Sequence, residues 1–250
     1  MRITEIIINQ LLRLAYPFLY FGKWHKKIIN YPVNNRIIFA VRVNTIDKLL
    51  IWEIWKLKQY GKVPKNSVIV DIGAHIGAYA IYAALNAKKV FAFEPHPANY
   101  KLMLHNIKQN KIKNIKTFQK AVSSKKGRIK LFISKVNTGM HSLYETESKK
   151  KILVNSTTVP EIITRYRIPK IDILKIDAEG AEYDIILNLP KKTLNKIKTI
   201  IFEYHDYLNL KHNLNDIKAH LKNQGYRIDV HGGWIMNKIF KEGYVIAKKI

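Results

Sequence analysis

The hydrophobic pattern of this chain changes period near residue 67. Before that point Ile3, Ile7, Leu11, Leu14 and Phe18 recur at helical spacing, and a second helical block, TIDKLLIWEIWKLKQYGK, runs from Thr45. Thr45 is placed to cap this second helix, with Gly61 and Pro64 to close it. From Ser67 onward, short runs rich in Val, Ile and Phe alternate with helical patterns. SVIVDIG, KVFAFEP, IKTFQKAV, GRIKLFIS, IDILKIDAEG and KIKTIIFEYH read as strands. Helices are predicted from the end of SVIVDIG through about Asn86, from Pro97 with proline in the first turn, over AEYDIILNL and over NDIKAHLKNQG. YRIDV and GYVIAKKI flank an HGG turn as a terminal strand pair. Such alternation predicts a mostly parallel sheet with helices on both faces, an α/β fold spanning residues 61–250 behind an N-terminal helical extension of residues 1–60.

In sheets of this kind ligands sit outside the carboxyl ends of the strands, near the switch in strand order. The residues that end the strands are therefore the candidates: Asp71-Ile72-Gly73, Glu94-Pro95, Asp177-Ala178-Glu179 and Glu203-Tyr204-His205.

Composition adds bounds rather than an activity. At 250 residues and 47% hydrophobic, the chain can bury a substantial core. It has no cysteine, which excludes disulfides and thiolate metal sites, and no metal centre is expected; this suits a reducing, cytoplasmic location. The net charge of +26 attracts nucleic acid, anionic lipid headgroups or acidic substrates, although a Lys-, Ile- and Asn-rich composition is also what AT-rich coding produces. Residues 61–160 carry 18 basic and 4 acidic side chains, +14, against +7 for residues 1–60 and +5 for 161–250. No apolar run is long enough to span a bilayer, and Glu5 and Arg13 interrupt any signal-peptide core. Tyr16, Phe18, Tyr20, Phe21 and Trp24 run into Lys23, Lys26 and Lys27. That segment has two readings: a peripheral contact with the cytoplasmic face of a membrane, or a helix docked on the protein's own core or on a second subunit of a homodimer.

The chemistry is concentrated in three motifs. In DIGAHIG, Gly73 and Gly77 permit a tight turn and close backbone approach by a ligand. Their G-x-x-x-G spacing departs from the dinucleotide G-x-G-x-x-G, and Asp71 just before it disfavours a pyrophosphate but suits a cationic, phosphate-free ligand. Glu94 ends the next strand 21 residues after Gly73, where a carboxylate can accept from two ribose hydroxyls, and Pro95 and Pro97 fix its loop. In LKIDAEGAEYDIIL, Asp177 ends an apolar strand and Gly180 allows close approach, while Glu182 and Asp184 complement a helix N-terminus.

These runs, with AVSSKKGRIKLFIS, resemble the FkbM family of S-adenosylmethionine-dependent methyltransferases over most of residues 65–190, in the family's order and spacing. The resemblance implies a Rossmann-like class I fold with a seven-stranded sheet and S-adenosylmethionine as cofactor. It also implies a hydroxyl oxygen of a sugar, glycan or other small or lipid-linked molecule as acceptor. By the same resemblance, Asp71, Gly73, Ala74, His75, Gly77, Glu94 and Pro95 hold the cofactor, Ala121 and Val122 pass its adenine, and Asp177 and Glu179 stand beside its methionine end and the acceptor. His75 departs from the family's usual Asn. VNTGMHSLYE looks like the family's loop over the pocket, which makes His141 and Ser142 acceptor contacts.

The base for an acceptor hydroxyl is sought at the strand ends. Glu203 and His205 lie two apart on one strand and so share a face, and His205 competes with Asp177 for the role; His96 and His231 are weaker candidates. The alternative to a small acceptor is RNA, on the strength of the basic charge, although the N-P-P-[YFW] signature of exocyclic-amine methylation is absent.

Overall fold

A computed structural model describes residues 27–43, 45–134, 142–143, 150–206, 211–232 and 242–250. The N-terminal helical pattern, with its aromatic and lysine run up to Lys26, lies outside these residues, as does His141.

The fold is built around seven strands: β3 (Val68–Ile72), β4 (Lys89–Phe93), β5 (Ile115–Phe118), β9 (Ile171–Ile176), β10 (Ile197–His205), β11 (Tyr226–His231) and β12 (Glu242–Lys249). Their order is β11-β12-β10-β9-β3-β4-β5. β12 runs antiparallel to both its neighbours, and the pairs from β10 through β5 are parallel. The chain moves outward from β3 through β4 to β5, then returns to β9 on the other side of β3. That reversal places the switch point between β3 and β9, where a crevice at the carboxyl edge takes ligands.

The central strands read as continuous apolar runs because both faces are covered. Val70, Ile72, Leu174, Ile176, Ile200 and Phe202 pack on one face against α4 (Val159–Arg165), α5 (Glu182–Leu187), α6 (Lys191–Leu194) and α7 (Leu214–Asn223). Ile69, Val90, Ala92, Ile173 and Ile201 pack on the other against α1 (Asp47–Trp55), α2 (Ala78–Ala84) and α3 (Pro97–Gln109). A smaller sheet, β6-β8-β7, pairs β6 (Ala121–Val122), β8 (Lys151–Thr157) and β7 (Gly127–Phe132). The run IKTFQKAV thus divides into β5 and β6, which belong to different sheets. β8 did not stand out in sequence because Leu153, 58% exposed, is an apolar residue at an outward position and hides the alternation of apolar and polar residues.

Ahead of α1 the chain forms a hairpin that helical periodicity did not predict: β1 (Ile28–Pro32) pairs antiparallel with β2 (Ile38–Arg42). Its turn is set by Asn34, whose Oδ1 accepts from the N–H groups of Arg36 and Ile37. α1 itself ends at Trp55, earlier than expected, and Lys58 and Gly61 turn the chain at positive φ. The hairpin is integral to the core, with Phe39 and Val41 fully buried among residues of α2 and α3.

Asn106 in α3 and Asn110 at its C-cap join the hairpin to that helix. Asn106 accepts from Ala40 N–H at 2.7 Å and donates to the carbonyls of Ala40 at 3.2 Å and Ile76 at 3.0 Å. Asn110, one turn later, accepts from Ile38 N–H and donates to Ile38 O. The pair supplies the open edge of β2 with the donors and acceptors of a missing strand. Asn106 is fully buried, so its loss strands three backbone groups away from water. Asn106→Ala is expected to cost at least about 2 kcal/mol in chemical denaturation, whereas Asn110→Ala, at a solvated edge, costs less than about 1 kcal/mol.

Candidate active site

The switch point is closed by direct backbone contact. Asp177 N–H donates to Ile72 O at 3.0 Å, and a Cβ built on Gly73 would stand 1.7 Å from Asp177 O. Gly73 also has a φ of +75°, so both its conformation and its neighbour exclude a side chain. The N–H groups of Gly73 and Ala74 both donate to Phe93 O, which folds the loop back over β4. Gly77, at φ +87°, starts α2 against Met103. Between the glycines His75 takes a φ of +51°. Asn and His are among the few side chains that tolerate this left-handed region, so the departure from Asn leaves the turn intact.

Glu94 stands beside that turn. One carboxylate oxygen accepts from His75 N–H and the other from His96 N–H, each at 2.8 Å. Burial pushes its carboxyl up to about 7, with these two N–H groups and the Asn99 amide pulling against it. With three donors on it, the carboxylate keeps remaining acceptor capacity for a ligand hydroxyl. Ala121 and Val122, buried in β6, run parallel to Ser156 and Thr157. His96 is brought to the same side, where burial pushes its imidazole down to about 4.

Asp71 is fully buried below this level, and among the described residues no group other than Lys175 approaches its oxygens as a donor. Its charge is met by Lys175, whose Nζ lies 3.4 Å away. Lys175 also donates to Gly73 O at 3.0 Å and to Asp177 Oδ2 at 3.3 Å, and its ammonium lies over the Tyr60 ring. Burial opposes the charge on Lys175, but Asp177, Asp71 and Glu203 outweigh it and hold the amine protonated. Asp71 is pushed up by burial, against the pull of Lys175. Asp177 is the acid that reaches the mouth, with 20% of its side chain exposed against none for Asp71.

The other strand-end residues form a second cluster. Glu203 accepts from Tyr60 OH at 2.5 Å and from Gln59 Nε2 at 3.1 Å. His205 sits between Glu182, 3.3 Å from Nδ1, and Glu179, 3.7 Å from Nε2. Burial alone would lower the His205 pKa, but Glu179, Glu182 and Glu203 raise it well above the usual value. Glu179 is itself pushed up to about 8 by burial and by Asp177, Glu182 and Glu203, with His205 opposing. These carboxylates favour the protonated ring, which has no lone pair to accept a proton. Glu182, read in sequence as a dipole complement, also accepts from Ala178 N–H at 3.0 Å. Asp184 anchors Ser124 N–H at 3.1 Å. Ser142 donates to Glu179 O at 2.5 Å, which brings this residue of the predicted pocket loop onto the acidic junction. His231 lies apart, stacked on Tyr244 two strands beyond β9.

Sequence reasoning did not single out Lys175, Arg42, Asp47, Asn99 or Tyr60. Arg42 forms a forked pair with buried Asp47 and also contacts His75 Nε2 at 3.2 Å and Asn99 Oδ1 at 2.8 Å. The signal for Lys175 was available: a lysine inside an otherwise apolar strand needs buried carboxylates.

Residues 71–228 match the family described as Methyltransferase FkbM domain. Methyltransferase sdnD of Sordaria araneosa is 24% identical over 199 residues, covering 66% of this chain and 76% of that protein. Hexuronic acid methyltransferase AglP of Haloferax volcanii is 21% identical over 164 residues, covering 61% of this chain and 66% of that protein. Among solved structures, a precorrin-6y C5,15-methyltransferase from Geobacter metallireducens aligns with a TM-score of 0.50 at 18% identity, covering 88% of this chain and all of that one. This last likeness is one of fold.

Removing Lys175 leaves Asp71 buried beside Asp177 with no cation. Lys175→Met is expected to lose about 3–5 kcal/mol, the usual cost of orphaning one member of a buried pair. Asp71→Asn/Lys175→Met recovers most of that loss, as read from melting and denaturant midpoints.

Proposed function

The chain belongs to the FkbM methyltransferase family, and from that premise we propose that it transfers a methyl group from S-adenosylmethionine to a hydroxyl oxygen of a sugar or another small acceptor. The observation that carries the reading is the pair of carboxylates at the switch point: Glu94, with acceptor capacity left beyond its three donors, and Asp177, 20% exposed. The donor set fits this cofactor. Glu94 suits a ribose diol, Gly73 leaves backbone surface bare, and the acids at the β3–β9 junction suit an ammonium and a sulfonium rather than a phosphate. Bound there, S-adenosylmethionine supplies a methyl group on a sulfonium, activated for in-line displacement.

The chain's own residues have three tasks. The Gly73–Asp177 contact holds the cofactor loop and the acceptor edge at a fixed separation, and such positioning supplies much of a displacement's acceleration. Asp177 accepts the acceptor's hydroxyl proton. Lys175 engages its Oδ2 and keeps it from turning away. His205, whose protonated form its acidic neighbours favour, pairs with Glu179 and Glu182 rather than serving as base. The hexuronic acid substrate in the name of the AglP relative supports a sugar as acceptor.

Two outcomes check the reading. Calorimetry with S-adenosylmethionine should show one site, abolished in Glu94→Ala. Because Glu94 accepts ribose hydroxyls best as a carboxylate and its pKa lies at about 7, affinity should fall as the pH drops through about 7. With labelled cofactor and a cellular glycan fraction, methyl should appear as an ether, and Asp177→Asn should slow its appearance by roughly 10²–10⁴-fold at saturating cofactor. A wild-type protein that binds no S-adenosylmethionine sinks the proposal.

A further inference from the structure

Arg42 lies on the hairpin, 29 residues before the family-matched segment begins at residue 71, yet its guanidinium is spent on the cofactor loop. Nε and Nη2 grip both oxygens of Asp47, a fully buried acid at the start of α1, each at 2.9 Å. Nη2 also lies 3.2 Å from His75 Nε2. Burial and the Arg42 charge push the His75 ring down to about 4 despite Asp47, so the ring is neutral and Nε2 accepts from the guanidinium. The remaining arm, Nη1, donates to Asn99 Oδ1 at 2.8 Å. Asn99 is buried on the first turn of α3, and its side chain hydrogen-bonds Glu94.

An asparagine amide can present either end to a neighbour. Because Arg42 offers only donors, it fixes Oδ1 toward itself and turns the Nδ2 hydrogens toward Glu94. We infer that Arg42 is a positioning residue for Glu94: it orients the Asn99 amide so that this amide donates to the carboxylate that receives the cofactor's ribose. The inference rests on the methyltransferase reading for the identity of the ligand, but the relay belongs to the protein alone. Around Glu94 the other polar groups are the N–H groups of His75 and His96 and the more distant Lys175 charge. The relay also makes the hairpin part of the cofactor site, so residues 61–250 alone are expected to bind the cofactor poorly.

The test follows the Glu94 carboxyl carbon by NMR in cofactor-free, full-length protein carrying labelled glutamate, with the resonance assigned by its loss in Glu94→Gln. Two variants break the relay: Asn99→Ala, and Arg42→Met combined with Asp47→Asn so that no buried carboxylate is orphaned. Melting curves establish that both fold. In the wild type Glu94 titrates near 7. In either variant its midpoint should rise by about one unit, since a donor to the ionised form is lost or misdirected. The three substitutions together should shift it no further than Asn99→Ala alone. The pH at which S-adenosylmethionine affinity declines in calorimetry should move by the same amount. An unchanged midpoint in either variant, or additive shifts, overturns the relay. A shifted midpoint in a protein that never binds S-adenosylmethionine supports the relay and defeats the methyltransferase reading instead.

Discussion

The site depends on one ammonium group held where lysine ordinarily does not go. Lys175 projects from the middle of the sheet into a pocket walled by Asp71, Asp177 and the Tyr60 ring, with the Gly73 carbonyl as its fourth neighbour. Each contact belongs to a different element: the strand β3, the cofactor loop, the end of β9 and the turn after α1. A buried charge is tolerated only when its partners are fixed, so the amine converts four separate segments into one rigid floor. The carboxylates in turn need the amine, since among the described residues no other group approaches the Asp71 oxygens as a donor. This mutual need places Asp177 at the surface rather than folded inward, because its Oδ2 is engaged from below and the rest of the group faces out.

The N-terminal hairpin obeys the same logic in neutral form. An isolated two-stranded hairpin is marginal in water. This one persists because Asn106 and Asn110 complete its open edge and because Phe39 and Val41 enter the core beside α2. Its last residue, Arg42, then reaches His75 and Asn99. The segment that precedes the α/β alternation is thus bound to the loop that the alternation builds.

What was legible in the sequence follows from range. The strand-end residues Asp71, Glu94, Asp177, Glu203 and His205 could be located because a parallel sheet sends every strand's carboxyl end to one edge, whatever the details of packing. The two glycines could be interpreted because their roles are local. The hairpin could not, since two five-residue strands carry too little alternation to outweigh the helical pattern flanking them. Nor could the partners of Lys175 and Arg42, which depend on contacts between residues far apart in the chain. His205 shows the limit most clearly: its place on the strand was readable, but its protonation is set by Glu179 and Glu182 from the next strand-to-helix junction.

The charge distribution gains a meaning once the site is located. The chain carries +26, yet Asp71, Glu94, Asp177, Glu179, Glu182 and Glu203, six of its 18 acidic residues, gather at one edge of one sheet. This basic chain thus keeps a cluster of acids at the carboxyl edge of its sheet. Crowded carboxylates repel one another, and the structure relieves the repulsion with the Lys175 ammonium, with a His205 ring whose protonated form its acidic neighbours favour, and with burial that weakens the acidity of Glu94 and Glu179. Asp177, ion-paired from beneath by Lys175 and 20% exposed above, combines a close countercharge with the access that Asp71 and Glu182 lack.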